Sequence, residues 1–180
     1  KYLFETYASI PVSVDVASEY RYKNQLITPT TLVILVSQSG ETADTLAALR
    51  IAKEKGADTL AIVNAVGSTI AREAAVCIYT YAGPEIAVAT TKGYTSQVAI
   101  FATLALDLAK EKGLISKELE ENIYSDFNNI ESLMEQTIER IDEYKSIAEK
   151  IYKKDNLFFI GRGIDSAVSM EGSLKRQSLF

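Results

Sequence analysis

The sequence predicts an α/β fold: a three-layer α-β-α, doubly wound parallel sheet with further helices towards its C-terminal end. Three observations carry this. Thr31–Val36 is a short, unbroken apolar run rich in β-branched residues, the pattern of a strand buried on both faces of a parallel sheet, and Thr59–Asn64 reads as another apolar strand. Segments with helical periodicity separate the strand-like runs at the spacing of strand-helix-strand units. Each strand-like run ends in a polar turn, where open α/β sheets present their ligands.

In chain order, Tyr2, Leu3, Phe4, Tyr7 and Ile10 fall at helical spacing, and Pro11 stops that helix. Val12–Val16 alternates apolar with polar residues and reads as a short strand, followed by a brief helix over Ala17–Tyr22 and a loop to about Pro29. After the strand Thr31–Val36 comes the turn Ser37-Gln-Ser-Gly40, then a helix over Glu41–Glu54 with Ala43, Leu46, Leu49 and Ala52 on one side. Gly56 ends it, Thr59–Asn64 is the next strand, Ser68 is placed to cap a helix to about Glu73, and Ala75–Thr80 is another strand. A long polar segment, Tyr81–Gln97, follows. Its two readings are a second wall of a pocket shared with Ser37–Thr42, or a connecting loop that caps the next helix and leaves Lys92 on the surface. From Ser96 a helix runs to Leu108 with a stop at Gly113, Ser116 opens another, and Ile130, Leu133, Met134, Ile138, Ile141, Tyr144, Ile147 and Ile151 form an apolar stripe read as core or helix-helix contact. Asn156–Ile160 reads as a strand, and Gly161-Arg-Gly163 turns into a helix from about Asp165. Ser166 stands where a third glycine would complete a dinucleotide fingerprint, and no GxxxxGK[ST] loop occurs, so nucleotide binding has little support.

The Ser37–Thr45 stretch is where chemistry concentrates. The first N–H groups of a helix lack internal partners and carry the positive end of its dipole. Gly40 allows close backbone approach, and Ser37, Ser39 and Thr42 add hydroxyl donors. That combination suits a phosphate monoester.

Composition narrows the alternatives. The 180 residues carry a formal charge of −5, with no basic stripe of the kind that binds nucleic acid or an anionic membrane, so phosphate recognition must be local. The longest apolar stretch, Val98–Leu106, is far short of the roughly 20 residues that span a bilayer. There is no histidine, which rules out a Ser-His-Asp triad, a Cys-His pair or a histidine-bearing zinc site built from this chain. No metal or other cofactor is expected. The single cysteine, Cys77, forms no internal disulfide, is compatible with a reducing cytoplasm and reads as a core residue rather than a nucleophile.

Ser37-Gln-Ser-Gly-Glu-Thr-Ala-Asp-Thr45, with Glu85-Ile-Ala-Val-Ala-Thr-Thr-Lys92 behind it, resembles the sugar isomerase (SIS) domain of the glutamine:fructose-6-phosphate amidotransferase (glucosamine-6-phosphate synthase) family. Ile160-Gly-Arg-Gly163 with Met170-Glu-Gly-Ser-Leu-Lys175 looks like the opening of that family's second SIS repeat, and the likeness extends to Lys175. The resemblance implies a flavodoxin-like SIS fold and a fructose 6-phosphate site. The hydroxyls of Ser37, Ser39 and Thr42 would hold the phosphate, Gln38 would contact the sugar, and the backbone at Val88 with the hydroxyl of Thr90 would complete the pocket. It also implies amination and isomerisation to glucosamine 6-phosphate in the cytoplasm, a step needing a positioned base and no metal.

Departures from the family pattern set further expectations. The 180 residues are expected to lack the family's first strand with its Cys-Gly-Thr-Ser turn, and its glutaminase domain. Arg176, Gln177 and Ser178 stand where a Leu-Lys-Glu segment with the basic glutamate is expected, so no catalytic residue is assigned and the fragment itself is expected to be inactive. Residues 1–152 would be a first SIS domain lacking its first strand, and residues 153–180 the opening strand and helix of a second. Loss of a central strand would leave apolar edges, which Phe158–Gly161 could fill within the chain or by exchange in a homodimer. Two further readings stay open: a non-catalytic phosphosugar-sensing module, and a dimerisation fragment without a ligand.

Overall fold

The computed structural model describes residues 1–86 and 90–177. The chain forms two compact units, one comprising Lys1 with Ile10–Leu104, the other Tyr2–Ser9 with the chain from Ala105 onward.

The first unit holds a parallel three-stranded sheet flanked by helices. Its strands are β1 (Leu32–Ser37), β2 (Asp58–Val63) and β3 (Val76–Tyr79), in the order β1-β2-β3. Leu32 pairs with Asp58 and Ser37 with Val63, while Leu60 pairs with Val76 and Val63 with Tyr79. The β1 and β2 ladders thus end level, with Ser37 beside Val63. This puts both following turns at one carboxyl edge. Strand alternation sends Leu35, Ala61 and Val63 to one face, where Leu49 of α3 (Ala43–Glu54) and Ile70 of α4 (Thr69–Glu73) close over them. Leu49, Val63 and Ile70 are fully buried there, each contributing about 1.5–3 kcal/mol of burial. On the opposite face Leu60 and Ile62 of the central strand are buried, but Leu32 and Val36 of β1 are 52% and 38% exposed. The expectation that β1 is buried on both faces therefore fails. It is an edge strand, and among the described residues only β2 pairs with it.

Val12–Val16 is not a strand. Asp15 accepts a hydrogen bond from the Val16 amide (3.0 Å) and pairs with Lys23 Nζ (2.8 Å), turning the chain into α2 (Ala17–Tyr20), and Val14 and Val16 are left exposed. The alternation satisfies the strand pattern, but a side chain takes the donor that a ladder would use.

In the second unit, α1 spans Tyr2–Tyr7, and α5 (Lys92–Glu111) enters from the first unit. Lys112 Nζ donates to the Ala8 carbonyl at 2.7 Å. Ser116 caps α6 (Lys117–Glu139) by accepting from the Leu119 amide at 3.2 Å, as its position predicts. The apolar stripe is split at Arg140 between α6 and α7 (Ile141–Ile151) and is exposed, from 38% at Ile151 to 65% at Ile138, so within this chain it is not core. The strand expected over Asn156–Ile160 does not form; Phe158 and Ile160 are more than four-fifths exposed. Phe159 instead lies on Gly172 of α8 (Ile164–Gln177), so close that a methyl group there would meet its ring at 3.0 Å.

Candidate functional site

The turn after β1 is assembled from its own hydroxyls. Ser37 is buried at the strand end, and its Oγ accepts from the Gly40 amide at 3.0 Å while standing 2.9 Å from Thr42 Oγ1. Ser39 Oγ accepts from the Glu41 amide at 3.2 Å and is exposed at the rim. Thr42 occupies the N-cap of α3, yet its hydroxyl makes no cap bond and is engaged with Ser37. The leading N–H groups of α3, at Ala43, Asp44 and Thr45, have no helical acceptor four residues back. The Ser37 and Thr42 hydroxyls thus meet beside the positive end of a helix whose first amides lack helical acceptors, an arrangement that offers donors to an oxyanion. Arg21 pairs with Asp44 in the first helical turn at 2.6 Å, offsetting that carboxylate.

Gly40 makes the geometry possible. Its φ of +65° lies in the left-handed region, and a Cβ there would stand 2.0 Å from Ser68 Oγ. Its carbonyl accepts from the Ile70 amide at 3.0 Å, and the Gln38 carbonyl accepts from Asn64 and Ala65 at 3.1 and 3.2 Å. The turn is therefore fastened to the end of β2 and to α4. Ser68 stands at the α4 N-cap as its position predicts, but without a cap hydrogen bond.

Glu41 supplies a cap from outside that helix, accepting from the Thr69 amide at 2.7 Å. This backbone donor, with the Thr69 hydroxyl and the nearby Arg72, holds the Glu41 carboxyl below its ordinary value of 4.5, against a smaller opposing effect of burial. A depressed carboxyl contributes stability that is present above its ordinary pKa and is lost as pH falls through the folded value. Thermal unfolding midpoints measured against pH should therefore fall less steeply below about pH 4.5 in Glu41→Gln than in the wild type. Parallel curves would show that this tie does not contribute to acid sensitivity.

The second segment is brought to the first. Asn64, just beyond β2, donates from Nδ2 to the Gly83 carbonyl (2.7 Å) and accepts from Thr80 Oγ1 and the Ala82 amide (2.9 Å each), pinning the start of Tyr81–Gln97 at the same sheet edge. Thr90 Oγ1 donates to Glu85 Oε2 at 2.6 Å. A methyl group on buried Gly93 would meet Thr90 Oγ1 at 2.7 Å, Glu85 Oε2 at 3.7 Å and Gln38 Cγ at 4.0 Å. Gln38, Glu85 and Thr90 therefore surround one glycine, as the shared-pocket reading requires. Lys92 is exposed at the start of α5, its Nζ 3.8 Å from where a Gly83 Cβ would be. Val88 lies outside the described residues.

The sequence assigns Asn64, Ser68, Glu85 and Gly93 no place in the site, although Ser68 reads as a helix cap and Glu85 opens the second motif. A polar residue directly after a strand was the available signal for Asn64, and the Glu85-to-Thr90 motif for Glu85; nothing local marks the other two. Cys77 is partly buried against the core, where burial pushes its thiol above the ordinary value, consistent with a packing role. Among the described residues, no group of three or more Cys, Asp or Glu is placed to hold a metal ion, and no helix is long and apolar enough to cross a membrane.

Comparison with known proteins places this geometry. Residues 1–107 match the model of the SIS domain family. The chain is 51% identical over 179 residues to glutamine–fructose-6-phosphate aminotransferase (isomerizing) of Clostridium tetani and 40% identical to that of Thermus thermophilus, in each case over 99% of its own length. It spans 29% and 30% of those relatives. Among solved structures, the C-terminal domain of glucosamine-fructose-6-phosphate aminotransferase from Francisella tularensis superposes with a TM-score of 0.94 at 35% identity, covering 99% of this chain and 51% of that one.

Proposed function

The chain belongs to the SIS domain family, and from that membership we propose that its β1–α3 turn binds the phosphate of a sugar phosphate, fructose 6-phosphate above all. The observation that carries this reading is the convergence of Ser37 Oγ and Thr42 Oγ1, 2.9 Å apart, at the start of α3 under a glycine with φ +65°. Ser37, Ser39 and Thr42 hold the phosphate, Gln38 reaches the sugar, and the backbone at Val88 with the Thr90 hydroxyl closes the far side. Placement of Gln38 and Thr90 around Gly93 supports the latter part.

Amination and isomerisation to glucosamine 6-phosphate are proposed for the longer proteins whose sequence this chain matches, because it spans 29% of the first relative. Within that activity the turn grips the end of the substrate that does not react, leaving C1 and C2 to groups elsewhere. The proposed setting is the cytoplasm, and residues 153–180 correspond to the start of a second SIS domain. A homodimer is also proposed, with the open edge of β1 available for strand exchange.

Titration with fructose 6-phosphate, glucose 6-phosphate and inorganic phosphate, followed by thermal shift, tests the reading. Sugar phosphates should stabilise the wild type, and Ser39→Ala should weaken binding about tenfold, the loss of one hydrogen bond to a charged group. A wild type indifferent to all three compounds would refute phosphate binding at this turn.

A further inference from the structure

Ser68 belongs to no site assignment, yet it is the least comfortable polar residue beside the anion turn. It is 5% exposed, and its Oγ is buried without a hydrogen-bond partner among the described residues. A serine at a helix N-cap ordinarily turns its hydroxyl onto the amides of the first helical turn. Here the α4 cap bond is unmade; Glu41 serves the Thr69 amide instead. The free hydroxyl lies against Gly40, 2.0 Å from the position a Cβ would take there. A buried hydroxyl without a partner is costly, so one retained in a folded protein calls for an explanation.

We infer that Ser68 is a positioning residue of the anion turn: its hydroxyl, unpaired against Gly40, gains a backbone partner in that turn when a phosphate seats. This rests on the proposed sugar-phosphate reading. The coupling is direct, because Gly40 is fastened both to Ser37 Oγ through its amide and to α4 through its carbonyl, at 3.0 Å each. A phosphate drawing on the amides of this turn would pull on the Gly40 peptide, which lies against Ser68. A hydroxyl that pairs only when phosphate is bound adds its stabilisation to binding.

The decisive property is an opposition of signs. Ser68→Ala removes the unpaired hydroxyl at nearly constant volume, so the unliganded protein should unfold at the same temperature as wild type or higher. Its apparent Kd for fructose 6-phosphate should rise about tenfold. A residue that merely packs would lower stability and leave affinity alone. Ser68→Thr, which keeps the hydroxyl, should retain more affinity than Ser68→Ala. Independently of any variant, the Ser68 13Cβ resonance of the wild type should move on saturation with fructose 6-phosphate. Unchanged affinity in Ser68→Ala, or a stationary resonance in a saturated wild type, would overturn the inference while leaving the phosphate site intact. A wild type that fails to bind fructose 6-phosphate overturns both.

Discussion

Gly40→Ala is expected to lose sugar-phosphate binding and to unfold about 2–5 kcal/mol more easily, the sum of two penalties at one position. The first is conformational: φ is +65°, where an L side chain costs about 1–2 kcal/mol. The second is steric, since the new methyl would stand 2.0 Å from Ser68 Oγ and 2.5 Å from its Cβ. Rotating the serine hydroxyl relieves only the first of those contacts, so either the α4 N-terminus or the turn itself must shift. Overpacking of this kind costs about 1–3 kcal/mol. Either shift disturbs the Gly40–Ile70 bond and the alignment of Ser37 with Thr42, so affinity falls together with stability. Gly67 supplies the control: its φ is +72°, but nothing lies within 4 Å of its would-be Cβ. Gly67→Ala should therefore show the conformational penalty alone and keep its ligand response. Urea unfolding and a fructose 6-phosphate titration of the two variants separate the effects. Equal behaviour of both would mean that the contact with Ser68 carries no weight.

The parts of this fold that could be read from sequence are those where a local pattern and a tertiary role coincide. Strands β1 to β3 fall within a residue or so of the β-branched runs, because a parallel sheet needs short apolar segments and little else. The Ser37–Thr42 turn was legible for a related reason: a glycine and three hydroxyls directly before an amphipathic helix make a tight, donor-rich turn at its positive end whatever the tertiary context. Val12–Val16 and Asn156–Ile160 show where that logic stops. Alternation or apolarity states that a segment wants burial, not which neighbour will supply a ladder, and Asp15 and Gly172 captured these segments first. The Ile130–Ile151 stripe likewise announces an apolar face without naming what covers it. Ser68 carries the helix-cap signal correctly by position and incorrectly by chemistry, since Gly40 and Glu41, 28 and 27 residues away in sequence, decide where its hydroxyl lies.

Asn64 should be the residue on which the two halves of the site depend. Its side-chain amide makes three hydrogen bonds, to Gly83 O, Thr80 Oγ1 and the Ala82 amide, at 2.7, 2.9 and 2.9 Å. Its backbone amide donates to Gln38 O at 3.1 Å, so one residue holds the first turn by its backbone and the second segment by its side chain. Truncation to alanine leaves the half-buried Ala82 amide and Thr80 hydroxyl without this partner and returns the exposed Gly83 carbonyl to water. The expected cost is about 2–4 kcal/mol, from two or three interactions at about 1 kcal/mol each plus partial desolvation. Binding should weaken more for sugar phosphates than for inorganic phosphate. The β1–α3 turn keeps its own hydroxyls, whereas Gln38 and Thr90 no longer face each other across Gly93. Asn64→Asp sharpens the test. It keeps the acceptor for Thr80 and Ala82 but replaces the donor to Gly83 with a second oxygen, placing two acceptors face to face. If the tie to Gly83 controls the second segment, the aspartate variant should lose as much sugar-phosphate discrimination as the alanine variant while losing less stability. Retained preference for fructose 6-phosphate over inorganic phosphate in both variants would show that the segment from Tyr81 onward finds its place without Asn64.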